Sequence, residues 1–548
     1  MKRFCAIAVL LAATIAGQAQ QYYTNPILHM DYSDPDVCRV GEDYWMTASS
    51  FNCFPGLPIL HSRDLVHWTL YNYALTSYDQ PLKPGEGVWA PAIRFHDGWF
   101  YIFVGDPDRG IFMIRTKDPE SKWEEPVWLV RGKGFIDPCP LWDDDGKAWL
   151  SHALAGSRAG LKSVILVAPM APDGTRLLEP SRIVYDGHDT QPTIEGTKFY
   201  KRGGKYYIFA PAGGVATGWQ TVLRSDTPRG PWEEKIVLAE AGSGVNGPHQ
   251  GAWVQTPGGS DWFLHFQDKG AYGRIVHLQP MSWTPDGWPI LGDDTGKGFG
   301  RPVSRHAPPS IVYDRDDGAH EPGPYGLPLG WQYPSIPLPY WHYGLAGGGV
   351  RLFSVPQGQE SKNLWDCPNL LQQKFPAERF TITAKLTFRP NPRTSETAGF
   401  VVMGQDYSGL KLSYTESGAL LEHIICTDAH KGTPEQCLPL ASLEWKTEAQ
   451  DFPLASESVP PVKYPDSREV TVWVKLDVAA KAVKGNVPSA VCRFSYSLDG
   501  KCYKAAGQPF TAAPGRWIGA KWGFFCNRGG ALNDGGRLDV TDLKVKTQ

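Results

Sequence analysis

Residues Ala92–Phe103 read AIRFHDGWFYIF: a short apolar strand, an Asp-Gly turn and a second, aromatic strand. An Asp-Gly pair between strand-forming runs is the signal of a hairpin. Working outward, the same form returns at Asp36–Met46 (DVCRVGEDYWM), Pro140–Leu150 (PLWDDDGKAWL), Lys198–Phe209 (KFYKRGGKYYIF) and Trp253–Leu264 (WVQTPGGSDWFL). The first strands begin near Asp34, Trp89, Asp137, Glu195 and His249, at intervals of 55, 48, 58 and 54 residues. A period of about 50 residues with several strands per unit marks a β-propeller, here of five blades. The innermost strand of each blade lines the axis, so the residues that start these strands are predicted to share one funnel.

The rest of the chain is also predicted to be all-β. The repeat fades after Leu291, and residues 306–339 are rich in Pro and Gly, as in an extended linker. Strands then continue without the blade pattern (Phe380–Phe388, Gly399–Met403, Glu469–Leu476, Ala490–Leu498, Ile518–Cys526), which suits a β-sandwich. The predicted plan is a signal peptide at 1–19, a propeller at 20–310, a linker at 311–340 and a sandwich at 341–548. Trp331, Tyr333, Tyr340 and Trp341 are expected to fasten the two domains together.

Lys2 and Arg3 precede an apolar run over Ala6–Ala16 and a Gly17-Gln18-Ala19 cleavage site, so export to the periplasm or medium is expected. No later run is apolar enough to span a bilayer. A net charge of −3 carries no basic footprint for nucleic acid. Nine cysteines remain after the leader, and an odd number cannot all pair. Cys38, Cys53 and Cys139 read as buried apolar residues, and Cys426 and Cys437 flank a loop that a disulfide could close.

Three carboxylates sit in apolar, turn-constrained settings at the starts of inner strands: Asp34 in SDPDV, Asp137 in FIDPCP and Glu195 in PTIEGTKFY. One Asp before Pro is ordinarily a turn residue; three acids in phase with a five-fold repeat point to chemistry. Glycosidic cleavage needs one ionised carboxylate to activate water and one protonated carboxyl to protonate the leaving oxygen. A third carboxylate nearby raises the pKa of the group that must keep its proton.

The string NPILHMDYSDPDVCRVGEDYWMTASSFNCFPGLPILHSRDLVHW, with WAPAIRF, FIDPCPLWDDDGKAWL and IEGTKFYKRGGKYYIF, resembles glycoside hydrolase family 43 along the whole propeller. NLWDCPNLLQQKF and WIGAKWGFFC resemble the concanavalin-like sandwich (a jelly roll) of its exo-acting members. The resemblance implies inversion, with Asp34 as general base, Asp137 as pKa modulator and Glu195 as general acid. It implies Phe51, Phe54 and Trp89 as walls of the sugar subsite. His249 is implied near the substrate or a water-coordinated structural calcium, no cofactor being required for the chemistry. The family's floor arginine finds no assigned match, Arg301 being the nearest candidate. The expected activity is removal of terminal pentose from arabinan, arabinoxylan or a similar polysaccharide, as an α-L-arabinofuranosidase, with β-xylosidase as the alternative. Cys53 stands where the xylosidase branch often carries Trp. A retaining fructosidase would need motifs that this chain lacks, and a non-catalytic carbohydrate-binding propeller would have little use for all three acids.

Overall fold

The computed structural model describes residues 22–309, 323–448, 467–482, 487–530 and 533–548. The predicted leader and the first part of the predicted linker lie outside these residues. The fold is almost wholly β: among the described residues the only α-helix is the single turn Gly156–Ala159.

Five consecutive sheets form the propeller blades, each built on four antiparallel strands; the fourth is widened to six strands by Gly300–Arg301, which joins its outer edge in parallel, and Asp293–Asp294. Their innermost strands are Asp36–Val40, Trp89–His96, Phe135–Trp142, Lys198–Arg202 and His249–Gln255, each packed on its neighbours around a ring. The five hairpins read from the sequence supply the inner two strands of every blade. The ring closes through the N-terminal segment. Tyr23–Thr24 pairs with Arg305–His306, and Asn25 donates to the Leu278 and Val303 carbonyls. Under the axis a buried ion pair joins blades: Asp36 accepts from Arg94 Nη1 at 2.6 Å and from the Ile93 N–H at 2.7 Å.

The sandwich follows with two antiparallel-rich sheets. One centres on Phe380–Arg389 and Ser467–Lys481, the other on Glu396–Met403 and Lys521–Arg528. Alternation explains the layering: Phe380, Ile382, Ala384, Leu386 and Phe388 are buried at every second position, as one face of a strand requires. These residues meet Phe400, Trp522 and Phe524 of the opposite sheet.

The two domains share polar and apolar contacts. Residues Trp331–Tyr333 run between them: Tyr333 exchanges backbone hydrogen bonds with Phe54 of the propeller, and Gln332 does so with Gln372 of the sandwich. Trp331, Tyr333 and Trp341 are buried here as expected, whereas Tyr340 is 65 % exposed and fastens nothing. All nine described cysteines are free. Cys426 and Cys437, which could have closed their loop, do not pair: the Cys426 thiol points inward to the Thr433 carbonyl while Cys437 is exposed beside Lys411.

Candidate active site

Each inner strand begins with one residue of positive φ: Asp34 (54°), Ala90 (37°), Asp137 (56°), Gly196 (65°) and Gln250 (28°). In three blades this residue sits in a register shift of the hairpin. Such bulges bend the strand and re-aim a side chain. The structural phase therefore differs by one residue from the phase read in the sequence. Asp34 and Asp137 occupy the bend itself, whereas Trp89, Glu195 and His249 come immediately before it. Both placements aim at the same mouth of the axis.

There the three acids converge. Asp34 is buried, and its Oδ2 accepts from the hydroxyls of Ser33 (2.8 Å) and Ser49 (2.6 Å). Arg274 Nη1 approaches Asp34 Oδ1 at 3.5 Å and donates to Ser33 Oγ at 2.7 Å. Asp137, also buried, accepts the Gly196 N–H on Oδ2 at 2.6 Å, so the residue after Glu195 is tied to Asp137. Burial raises the Asp137 carboxyl, the Gly196 N–H opposes this, and Asp34 adds to the rise. Glu195 is pushed up from 4.5 to about 8, by burial first, then by Asp137 and Asp34. Between the two raised acids, the backbone N–H favours charge on Asp137 and leaves the proton to Glu195. Glu195 is also the more open, with 28 % of its side chain exposed.

Gly196 has no substitute in this geometry. Its φ is positive, and a Cβ would come within 2.8 Å of Gln250 and 2.9 Å of Pro211.

His249 lies 4.0 Å from Glu195 Oε1 and is 1 % exposed, and burial pushes its imidazole down to about 3. Neither ring nitrogen has a hydrogen-bond partner in the protein. Among the described residues no three His, Cys, Asp or Glu side chains gather into a metal site. A calcium beside His249 would accordingly draw its six to eight oxygens mainly from water.

The expected aromatic walls separate. Trp89 is half-buried at the mouth. Phe51 is 2 % exposed and backs Trp89 edge-on at 5.9 Å. Phe54 is fully buried in the core between the first two blades, beside Tyr78, and presents no ring surface to a sugar.

Two residues at the site went unread in the sequence. Arg274 lies beside Asp34 with its guanidinium over Phe266 at 4.9 Å, whereas Arg301 is exposed and faces Asp293. A cation opening a strand, right after Gly273 and before the apolar pair Ile275-Val276, was the available signal. Trp517 comes from the sandwich. It holds φ of 66°, lies 5.9 Å from Trp89 and 5.9 Å from the Arg274 guanidinium, and is 39 % exposed. Its loop is pinned to the propeller by the Gly519 N–H to Asp31 Oδ2 (2.9 Å) and the Ala520 N–H to the Ala271 carbonyl (2.8 Å). Nothing local in the sequence announces a contact between residues so distant along the chain.

The sequence model for glycosyl hydrolases family 43 matches residues 23–289, the propeller that carries all three acids. The chain belongs to glycoside hydrolase family 43. The C-terminal concanavalin A-like domain of β-xylosidases matches this glycosidase over residues 324–536. A putative β-xylosidase of Xylanibacter ruminicola is 34% identical over 519 residues, 92% of this chain and 86% of the relative. The non-reducing end α-L-arabinofuranosidase BoGH43B of Bacteroides ovatus is 31% identical over 446 residues, 76% of this chain and 80% of the relative. Among solved structures, xylan β-1,4-xylosidase from Bacillus halodurans C-125 superposes with a TM-score of 0.77 at 24% identity, covering 96% of this chain and 100% of that one. The Bacteroides ovatus GH43B structure gives 0.76 at 23% identity with the same coverage. At these identities the superpositions bear on the fold. This family 43 hydrolase thus unites a five-bladed propeller with a sandwich whose loop reaches the mouth where the three acids meet.

Proposed function

We propose that the chain is an exo-acting, inverting pentosidase in which Asp34 activates water, Glu195 protonates the leaving oxygen and Asp137 holds the Glu195 proton. The observation that carries this is the convergence of three acids under a mouth narrowed by Trp89 and Trp517. Every contact of Asp34 is a donor, which suits a carboxylate that accepts a proton from water. Glu195 keeps its proton at neutral pH because burial and two neighbouring carboxylates disfavour its charge. The Arg274 guanidinium holds Ser33 and lies alongside Asp34, orienting the base. Proton transfers then run in opposite senses on the two sides of the sugar, as inversion requires. A tryptophan supplied by a second domain restricts access to chain ends and side branches of plant polysaccharide.

In this reading the first substrate is a terminal α-L-arabinofuranoside, supported by the activity of the Bacteroides ovatus relative, which matches both domains. A β-D-xyloside is the second reading, favoured by the relatives named β-xylosidase; Cys53, which stands where that branch often carries Trp, does not weigh against it. That residue turns its thiol to Lys521 in the domain seam, away from the sugar. Steady-state kinetics on the two para-nitrophenyl pentosides decide. A kcat/KM higher for the arabinofuranoside by tenfold or more supports the first reading, and the reverse ratio establishes the second. No activity on either refutes the pentosidase.

A further inference from the structure

Cys53 and Lys521 meet across the seam between the domains. Cys53 belongs to the loop that holds Phe51 and Phe54, and Lys521 opens the strand that follows the Trp517 loop. Lys521 Nζ stands 3.0 Å from Cys53 Sγ and 3.0 Å from Gln332 Oε1. Both side chains are enclosed, Lys521 at 3 % and Cys53 at 2 % exposure. Among the described residues Lys521 makes no ion pair with a carboxylate, so its nitrogen faces only a thiol and an amide oxygen. Directly opposite it on the neighbouring strand is a second lysine, Lys374. Lys374 lies with Nζ 3.8 Å from the centre of the Tyr32 ring, and burial pushes it down to about 8. Like charges directly opposed across strands repel, and a buried cation without a counter-charge is costly. A small void of about 40 Å³ touches both Cys53 and Lys521, room for one water-sized molecule.

The chain contains its own contrast. Lys411 Nζ lies 3.1 Å from Cys437 Sγ, but Glu435 stands 2.6 Å away and Glu422 3.6 Å. Those carboxylates hold Lys411 as an ammonium, above its ordinary pKa against the opposing effect of burial. An ammonium has no lone pair with which to form a new bond.

We propose that Lys521 and Cys53 are joined by an oxygen-bridged N–O–S cross-link that ties the sandwich to the propeller beside the active-site mouth. The reactants are the Lys521 side chain as its amine, the Cys53 thiol and one dioxygen, and the products are the bridge and one water. One N–H and the S–H bond break, and N–O and S–O bonds form. Nitrogen and sulfur each give up two electrons, and dioxygen accepts the four. The second oxygen atom leaves as water with the two released hydrogens. A dithiol reductant reverses the step by returning four electrons and four protons, which restores amine, thiol and one further water. The bridge fixes the Trp517 loop against the Phe51 loop, and so sets the width of the mouth by a covalent bond. It does not depend on which pentoside is the substrate.

The test is mass spectrometry on the full chain, held in air-saturated buffer and digested without reductant. The expected species is a joined peptide pair containing Cys53 and Lys521, about 14 Da heavier than the two reduced peptides together. It disappears after dithiothreitol treatment and is absent from Cys53→Ser and Lys521→Arg proteins. The Lys411–Cys437 pair, measured in the same digest, stays separate. Unjoined peptides throughout would overturn the proposal. So would a joined pair about 2 Da lighter than the sum, which denotes a direct S–N bond. An equal yield of joined Lys411–Cys437 would remove the carboxylate argument on which it rests.

Discussion

Replacing Asp137 by Asn removes one negative charge next to Glu195 while keeping an oxygen that can accept the Gly196 N–H. Glu195 stands at about 8, against an ordinary 4.5, and burial is the largest cause, ahead of Asp137 and Asp34. The Asp137 share is then less than half of the rise, on the order of one pH unit or ~1.4 kcal/mol. The sign follows from the role. A general acid must carry its proton, so activity is present below the Glu195 pKa and is lost as pH rises through it. In the parent enzyme the alkaline limb of kcat/KM should lie near the Glu195 value. In Asp137→Asn it should lie about one unit lower. At pH 8 the protonated fraction then drops from about one half to about one tenth, a roughly fivefold loss absent at pH 6. The assay is a pH–kcat/KM profile of both proteins on an aryl pentoside. An alkaline limb that stays in place or moves upward would refute the electrostatic role of Asp137.

Glu195→Gln should lose roughly 10²–10⁴-fold on natural polysaccharide and far less on an activated aryl glycoside, whose leaving group departs without a proton. Rate ratios on the two substrates check this, and equal losses on both would count against Glu195 as the acid. Trp517→Ala should raise KM for terminal pentosides by roughly three- to tenfold, the worth of one lost aromatic contact. It should also admit internal cleavage, seen as early oligosaccharides in product chromatography; unchanged KM and products would contradict the role of the sandwich loop. Gly196→Ala should cost roughly 1–3 kcal/mol from its positive φ, in addition to the close contacts with Gln250 and Pro211. A thermal melt reads that loss, and a melting temperature equal to the parent's would show that the bend tolerates a side chain.

The propeller was legible because its hairpins are local. A Gly-containing turn, Asp-Gly or Gly-Gly in four blades and Gly41-Glu42 in the first, fixes a pair of strands without help from the rest of the chain, and five such pairs fix the period. The acids were legible for the same reason, although the bends that aim them shift the phase by one residue in three blades. That shift could not be read: positive φ at Ala90 or Gln250 is imposed by the bulge, not by the residue type. Phe54 misled because an aromatic next to a site looks the same in sequence whether it faces sugar or core. Arg274 and Trp517 were missed because they reach the mouth from the last blade and from the second domain. Contacts at such separations depend on how finished elements pack; Arg274 at least opens a strand as a cation, whereas nothing local marks Trp517.

The central claim is that two acids act on opposite sides of one terminal sugar, so its stereochemical outcome is the most direct test. Proton NMR of a reaction started at high enzyme concentration shows the anomer released before mutarotation. β-L-arabinofuranose appearing first from an α-L-arabinofuranoside, or α-xylose from a β-xyloside, is the result that Asp34-activated water predicts. Initial release of the same anomer as the substrate would mean a covalent intermediate on one carboxylate, and would contradict the account.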